Sequence, residues 1–190
     1  MLHRSLEPIV YRIDENDLIY WLSPNWLDFA TLNFAGDSCH PKNIIGKPLN
    51  TFIKCEKTIY LYDLILNHVR NNNKTVSFPF RCDAPELRRG LSFKIIPLAN
   101  NHVEFRSTLE WTEFRPQVTL LHHSDCRIDD VLSICSICKK VEVEESWEEV
   151  EVAMNHFKLG EAKKLPSLSH GYCPECFDTV MNSINHSMAA

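Results

Sequence analysis

Two Cys-x-x-Cys pairs near the C-terminal end constrain the fold of this chain more than any other feature of its sequence. The first pair is Cys135 and Cys138, the second is Cys173 and Cys176, and 34 residues lie between the pairs. Each pair can form a tight turn that directs two sulfur atoms at one ion. The intervening residues must then bring the two turns together, so the sequence predicts a metal site built from four thiolates.

Zn²⁺ is the metal that best suits four thiolates, because it takes tetrahedral sulfur coordination and needs no redox chemistry. We expect one Zn²⁺ per chain in a structural role, where it replaces part of the core that a segment of about 60 residues builds with difficulty. The same ligands also fit an iron–sulfur cluster, or a redox switch in which oxidation ejects the metal. His170, three residues before Cys173, is a further candidate ligand or a donor to a coordinating sulfur.

Composition and charge indicate a globular protein and argue against binding of nucleic acid. Of the 190 residues, 44% are hydrophobic and 24% are charged, which is typical of a soluble globular protein with a real core. Residues 1–115 hold 14 Lys and Arg against 13 Asp and Glu, whereas residues 116–190 hold 6 against 12. A protein that binds nucleic acid needs a basic surface. The acidic segment around the cysteines therefore argues against nucleic acid as a partner.

The sequence also predicts where the protein works. It contains no apolar run close to the roughly 18 residues that a membrane span needs, and its first eight residues lack the apolar core of a secretory signal. We therefore expect a cytoplasmic protein with no membrane partner, in a compartment where thiols stay reduced. Eight cysteines in such a compartment favour metal binding over disulfides.

Periodicity in the first 111 residues predicts two strands, a group of helices and three further strands. Residues 9–13 and 18–22 form a hairpin with a turn between them. Ser23 is expected to cap a helix that has Pro24 at its first position. Residues 56–70 carry apolar stripes at helical spacing and form the strongest predicted helix. Strands at 75–82, 89–98 and 102–111 alternate apolar and polar residues, which is typical of an antiparallel sheet.

In this order of elements, residues 8–114 resemble a PAS domain. The resemblance is carried by the hairpin, the helix with Trp26-Leu27-Asp28-Phe29-Ala30, the segment Ile44-Ile45-Gly46-Lys47-Pro48-Leu49, the long helix and the three closing strands. It implies an α+β fold, with a five-stranded antiparallel sheet, helices on one face and, in some members, an enclosed ligand pocket. It also implies a sensory role and a homodimer or protein contact through this domain. In some haem-binding PAS domains an axial His comes from this region, which makes His68 a haem candidate.

Residues 115–130 are interpreted as a connector and residues 131–190 as a separate zinc module of treble-clef or ribbon type. Within the module we expect a short strand at Val141 and Val143, and a helix from Trp147 that Ser146 and Glu149 cap as a capping box. The module also resembles a C-terminal extension of bacterial sensory and signalling proteins. Its pattern C-x-x-C-K-K, then S-H-G-x-C-P-x-C, is present here at residues 135–140 and 169–176.

Together these patterns predict a non-enzymatic sensory or adaptor protein of bacterial signalling. The PAS-like domain would sense a small molecule or a redox state, and the zinc module would mediate a protein contact. Four thiolates leave no open coordination position for catalytic zinc, and no Ser–His–Asp set or phosphate-binding glycine loop stands out. The alternatives are an anti-sigma-like transcription regulator with a zinc/thiol redox switch, and a haem-binding PAS sensor. Cys39, Cys55 and Cys126 are interpreted as ordinary residues.

Overall fold

The chain has an α+β fold, which a computed structural model describes for residues 7–33, 35–53, 55–121, 127–162 and 164–189. In chain order the strands are β1 (Ile9–Ile13), β2 (Ile19–Leu22), β3 (Val76–Arg81), β4 (Leu87–Pro97), β5 (Val103–Phe114), β6 (Arg127–Cys135), β7 (Val141–Val143), β8 (Ser146–Glu148) and β9 (Leu165–Gly171). The α-helices are α1 (Trp26–Leu32), α2 (Pro41–Ile44), α3 (Glu56–Asn72), α4 (Val150–His156) and α5 (Pro174–Ala189). Short 3-10 helices lie at Leu49–Phe52, Ala99–Asn101, Thr119–Leu121 and Leu159–Glu161.

The first five strands form one sheet in the order β2-β1-β5-β4-β3. Every neighbouring pair in it is antiparallel, which confirms the five-stranded antiparallel sheet that the sequence predicts. Alternate side chains of its strands, such as Phe78 and Phe105, are buried on one face. The opposite face carries charged groups, where Glu104 pairs with both Arg12 and Arg106. The sheet is therefore hydrophobic on one face only, as is common for antiparallel sheets.

Helix α3 covers the hydrophobic face of this sheet. Its side chains Leu61 and Ile65 are almost fully buried, in the same hydrophobic cluster as the inner residues of β3, β4 and β5. Tyr62 of α3 stacks on Phe105 of β5, with 6.0 Å between the ring centroids. The helix ends at Asn73, whose left-handed conformation (φ 51°) is a common way to stop a helix. The predicted long helix is confirmed and extends two residues further than expected.

Helix α1 begins later than the sequence predicts. Ser23 and Pro24 are expected to start the helix, whereas it begins at Trp26 and Asn25 precedes it. The hydroxyl of Ser23 accepts a hydrogen bond from the backbone N–H of Val10 at 3.1 Å, and the N–H of Ser23 donates to the carbonyl of Val10 at 2.8 Å. Pairing with β1 therefore occupies the side chain that the local pattern assigns to a helix cap.

The capping box predicted at Ser146 and Glu149 does not form. Ser146 lies in β8, which pairs with β7, and its hydroxyl donates to the carbonyl of Val143 at 3.2 Å. Helix α4 begins at Val150, and the carboxylate of Glu149 accepts two hydrogen bonds from Arg81, at 3.0 and 2.8 Å. The carboxylate of Glu149, which the sequence pattern assigns to the capping box, thus binds Arg81, 68 residues away in the sequence.

The C-terminal part of the chain forms a second sheet and packs against the first one. This sheet has the order β8-β7-β6-β9, in which β6 and β9 are parallel. The buried side chains Ile137, Val180 and Ile184 belong to the same hydrophobic cluster as Phe78 and Phe93 of the first sheet. The two parts of the chain therefore share one interior and are not joined by a surface contact alone.

The predicted connector, residues 115–130, is only partly described. Val118 and Leu120 are buried in a second hydrophobic cluster, together with residues of β6, β7 and α4. Thr119–Leu121 form a short 3-10 helix. The described part of the connector therefore packs on the second sheet, and the predicted module boundaries at its two ends stay predictions.

The outer edge of β3 is covered by the C-terminal part. The hydroxyl of Ser183 in α5 donates to the carbonyl of Ser77 at 2.6 Å and accepts from its N–H at 3.2 Å. The N–H of Arg81 donates to the carbonyl of Ile137 at 2.7 Å. Between these two contacts Pro79 has no N–H that would need a partner. The edge is thereby protected against pairing with a strand of another molecule.

Arginine–carboxylate pairs also join the two parts of the chain. Arg81 of β3 lies 2.8 Å from Glu149, and Arg88 of β4 lies 2.8 Å from Glu151. The side chain of Arg115 is only 3% exposed and lies 3.1 Å from Glu151. Burial alone would raise the pKa of Glu151, but hydrogen bonds from the backbone and from Arg88, and the charge of Arg115, outweigh it, so the pKa is lowered. Each of these partly desolvated charges depends on its partner.

Gly90 of β4 offers a test of the close packing on the outer face of the sheet. It pairs with Trp111 of β5, and a Cβ atom at Gly90 would overlap the indole ring. We expect Gly90→Ala to lower the free energy of unfolding by about 1–3 kcal/mol, measured by chemical denaturation. Gly160→Ala is the control, because a Cβ atom there meets nothing within 4 Å. Adding Trp111→Ala should restore much of the loss, and an unrestored double variant would contradict this explanation.

Glu151→Gln tests the ion pairs and their pH dependence. Because the folded-state pKa of Glu151 is lowered, its contribution to stability is present above its unfolded pKa and is lost as the pH falls through the folded value. We expect the substitution to lower the free energy of unfolding by about 1–3 kcal/mol at pH 7, and by progressively less below about pH 4. Glu145→Gln, at an exposed position, should change little at either pH. Equal effects of the two substitutions at pH 7 would rule out the stabilising role of Glu151.

Candidate metal centre

The parallel pairing of β6 with β9 brings the two cysteine turns together. Cys135 is the last residue of β6 and pairs with Gly171, the last residue of β9. The N–H of Ser136 continues the ladder by donating to the carbonyl of Gly171 at 2.8 Å. Because parallel strands run in the same direction, the chain leaves both strands at the same edge of the sheet. The turns that carry Cys138 and Cys173 therefore begin side by side.

The four predicted ligands meet in one cluster. The sulfur atoms of Cys135, Cys138, Cys173 and Cys176 all lie within 4.8 Å of one another. The sulfur atoms of Cys138 and Cys173 are 3.7 Å apart. In a tetrahedral zinc site with Zn–S bonds of about 2.3 Å, neighbouring sulfurs are about 3.8 Å apart. The cluster can therefore hold a metal ion, and its geometry agrees with tetrahedral coordination.

Local backbone structure fixes each turn. In the first turn the N–H of Cys135 donates to the carbonyl of Lys140 at 2.8 Å, and the N–H of Lys139 donates to the carbonyl of Cys135 at 3.1 Å. Lys139 takes the left-handed conformation (φ 63°) that closes this turn. In the second turn Pro174 is the first residue of α5, a position that proline favours. Cys176 therefore lies in the first turn of this helix.

Lys139 places a positive charge beside the cluster. Its ammonium group donates to the carbonyl of Ser136 at 2.7 Å and lies 5.9 Å from the centre of the Phe80 ring. Burial lowers the pKa of Lys139, while the nearby acidic groups of Cys135 and Asp83 act in the opposite direction. The side chain thus bridges the first cysteine turn and the edge of the first sheet.

Hydrogen bonding affects three thiols of the cluster unequally. Hydrogen bonds from Cys138 and Cys176 lower the pKa of Cys135. The hydrogen bond with Cys135 in turn raises the pKa of Cys138 and of Cys176. The thiolate is the form of cysteine that binds metal, so a divalent cation that binds here must displace the remaining thiol protons. Metal binding at this cluster is therefore expected to release protons.

The four cysteines differ in their exposure to solvent. Cys135 and Cys173 are 0% and 1% exposed, whereas Cys138 and Cys176 are half-buried. The two half-buried cysteines line a groove of about 530 Å³ between the edge of the first sheet and α5. Its other walls include Phe80, Trp111, Ile137 and Thr179. The cluster thus has a closed side within the protein and an open side at this groove.

The remaining candidate ligands lie outside the cluster. His170 is an exposed residue of β9, and the group of ligand atoms found in the described residues consists of the four cysteines. Cys39, Cys55 and Cys82 also lie apart from it. Cys126, interpreted from the sequence as an ordinary residue, lies outside the described residues.

His68, the haem candidate, is buried on α3. Its ring nitrogen Nδ1 is 3.2 Å from the side-chain nitrogen of Asn72, and burial lowers its pKa. It lines neither the groove nor a second cavity of about 40 Å³ beside Tyr62. Haem binding at His68 stays a prediction without a described cavity to support it.

The groove and the arginine pairs are the features that sequence reasoning missed. The charge-rich segment from Arg81 to Arg89 has two interpretations from sequence: a site for an acidic ligand or partner, or turn residues with local ion pairs. Arg81 pairs locally with Asp83, and Arg81 and Arg88 also bind Glu149 and Glu151 of the same chain. Nothing in the spacing of these residues indicates that they meet, because the contacts join segments more than 60 residues apart.

Comparison with known proteins does not assign the chain to a family. No protein-family model matches it, and a search of curated proteins finds no significant match. Among the described residues, no helix has both the length and the apolar character that a membrane span requires. What is known of the site thus comes from its own geometry.

Removal of one buried ligand tests the cluster as a metal site. We expect Cys173→Ser to lose most of its bound metal and to lower the free energy of unfolding by at least about 3 kcal/mol, because the sulfur is fully buried among the other three. Metal content and chemical denaturation are the measurements. Cys39→Ser is the matched control, since Cys39 lies outside the cluster. Metal content equal to that of the unaltered chain in both variants would contradict the assignment.

Proposed function

We propose that this chain is a non-enzymatic sensory or adaptor protein in which the cysteine cluster holds one Zn²⁺ in a structural role. In this proposal the N-terminal part is a PAS-like domain that senses a small molecule or a redox state. The C-terminal part is a zinc module of treble-clef or ribbon type that mediates a protein contact. The setting is cytoplasmic bacterial signalling, as the sequence patterns imply.

One observation carries the structural role of the metal. Cys135 and Cys173 are buried in the same hydrophobic cluster as Phe78 and Phe93 of the first sheet. An ion bound there would hold α5 and the first cysteine turn against the interior of the sheet. A metal site that served only to bind a partner at the surface would not need cysteines buried in the hydrophobic core of the protein. The location of the sulfurs therefore supports a metal that stabilises the fold.

Two further features support a binding protein over an enzyme. Four protein thiolates complete the coordination of Zn²⁺, which leaves no position for a catalytic water molecule. The groove beside the cluster, at about 530 Å³, has the size of a small-molecule site. The cavity beside Tyr62, at about 40 Å³, has room for little more than water. A small-molecule signal is therefore better accommodated at the junction of the two parts than beside α3.

The PAS-like part of the proposal is supported by the general architecture. The α+β fold, the five-stranded antiparallel sheet and the position of α3 over its hydrophobic face agree with what the resemblance implies. The cysteine turns that follow β6 and begin α5 agree with the expected organisation of a small zinc module. The covered edge of β3 leaves any dimer contact to other surfaces of the protein.

The metal content of protein purified without added metal tests this proposal directly. We expect one zinc per chain by atomic spectroscopy and no absorption in the visible range. An intense band near 400 nm with bound haem would favour the haem-binding alternative, and iron with sulfide would favour a cluster. A reduced, folded protein that contains no metal and gains none from added Zn²⁺ would overturn the proposal.

A further inference from the structure

The half-buried cysteines of the cluster face the same groove. Cys138 and Cys176 line it together, while Cys135 and Cys173 are closed off in the protein interior. A reagent that approaches the cluster through the groove therefore meets two of the four sulfurs first. The four cysteines are therefore not equivalent toward a reagent, although they are the same residue type.

We propose that Cys138 and Cys176 are a specific oxidation site, at which a hydroperoxide entering the groove forms a disulfide between them and releases the metal. This inference rests on the proposed zinc site and adds to it a regulation by oxidation. The sulfurs of the two residues lie within 4.8 Å of each other. To reach the S–S bond length of about 2.05 Å, the two sulfurs must therefore approach each other by at most about 3 Å.

The chemistry balances with the hydroperoxide as the two-electron oxidant. The first thiolate attacks the terminal oxygen of R–O–OH, an S–O bond forms, the O–O bond breaks and the alkoxide leaves with a proton from solvent. The second thiolate then attacks the sulfur of the sulfenic acid, an S–S bond forms and hydroxide leaves as water after protonation. Two thiolates, one hydroperoxide and two protons give one disulfide, one alcohol and one water. With hydrogen peroxide the alcohol is a second water.

The walls of the groove favour access of such a molecule. Phe80, Trp111 and Ile137 provide apolar surface beside the two sulfurs, and the volume of about 530 Å³ accepts an organic body as well as hydrogen peroxide. Pro79, which has no N–H group, also lines the groove at the edge of β3. The chemistry of the two sulfurs thus fits a hydroperoxide as the oxidant. Comparison of an organic hydroperoxide with hydrogen peroxide distinguishes its two possible sources.

Loss of two ligands would remove the metal ion that links the first cysteine turn to the start of α5. The metal would keep only Cys135 and Cys173, and two thiolates bind Zn²⁺ far more weakly than four. The first cysteine turn and the start of α5 would then be fixed by the new disulfide and no longer by the ion. Oxidation would therefore alter how the first cysteine turn and the start of α5 contact β3.

The zinc-loaded full chain provides the test. It is treated with hydrogen peroxide or with cumene hydroperoxide, zinc release is followed with a colorimetric chelator, and the disulfides are mapped by mass spectrometry. We expect zinc release to accompany a Cys138–Cys176 disulfide as the main product. A faster reaction with cumene hydroperoxide identifies the organic source, and a faster reaction with hydrogen peroxide the inorganic one. A main disulfide that includes Cys135 or Cys173, or zinc that stays bound under both oxidants, would overturn the proposal.

A pair of variants on α5 tests the role of the groove. Thr179 lines the groove, whereas Asp178 is exposed on the same helix and does not line it. We expect Thr179→Phe to slow zinc release severalfold by filling the groove, and Asp178→Phe to leave the rate unchanged. Equal rates in the two variants would show that the oxidant does not enter by the groove.

The failure of the inference can be told apart from that of the zinc proposal. Zinc content is measured before any oxidant is added, so absence of metal identifies a failure of the zinc site itself. In that case the rates of alkylation by iodoacetamide are compared in the two α5 variants. Slower alkylation of Cys138 and Cys176 in Thr179→Phe than in Asp178→Phe would support the groove as the route of access, and equal rates would reject it.

Discussion

The parallel pairing of β6 with β9 is the constraint on which the cysteine cluster depends. Antiparallel strands would direct the chain away from the pair at opposite edges, and the two cysteine turns would be separated by the length of a strand. With Cys135 and Gly171 opposite each other, both turns begin at one edge. The long connection between the strands, which contains β7, β8 and α4, is what a parallel pair requires. The 34 residues between the cysteine pairs therefore provide the long crossover connection that joins two parallel strands.

Three kinds of interaction attach the C-terminal part to the first sheet, and they differ in how they respond to conditions. Apolar side chains such as Ile137 and Val180 contribute burial that changes little with pH or redox state. The pairs of Arg88 and Arg115 with Glu151, whose pKa is lowered, weaken in acid. A metal at the cysteine cluster adds an attachment that acid, chelation and oxidation can each remove. Of the three attachments, only the bound metal is therefore suited to respond to a chemical signal at neutral pH while the hydrophobic contact remains.

The sequence predicts the parts of this structure that depend on local periodicity or local spacing. The apolar stripes of residues 56–70 indicate α3 because a helix buries every third or fourth residue, and the cysteine spacing indicates the turns because each is formed by four consecutive residues. Ser23 and Ser146 were wrongly assigned to helix caps because a cap is a weak local preference, and distant backbone pairing can replace it. The groove and the arginine pairs could not be predicted, since they arise only when segments remote in sequence are packed together.

Burial divides the four cysteines of the candidate metal site into an inner and an outer pair, and this division is a consequence of where the cluster lies. A metal site surrounded on all sides by protein gives maximum stability but no route for a reagent. A site on the surface gives access but stabilises little of the interior. Because the cluster lies at the junction of the sheet edge and α5, Cys135 and Cys173 complete the core while Cys138 and Cys176 face the groove. One ion can therefore support the fold through its inner ligands and remain open to chemistry through its outer ones.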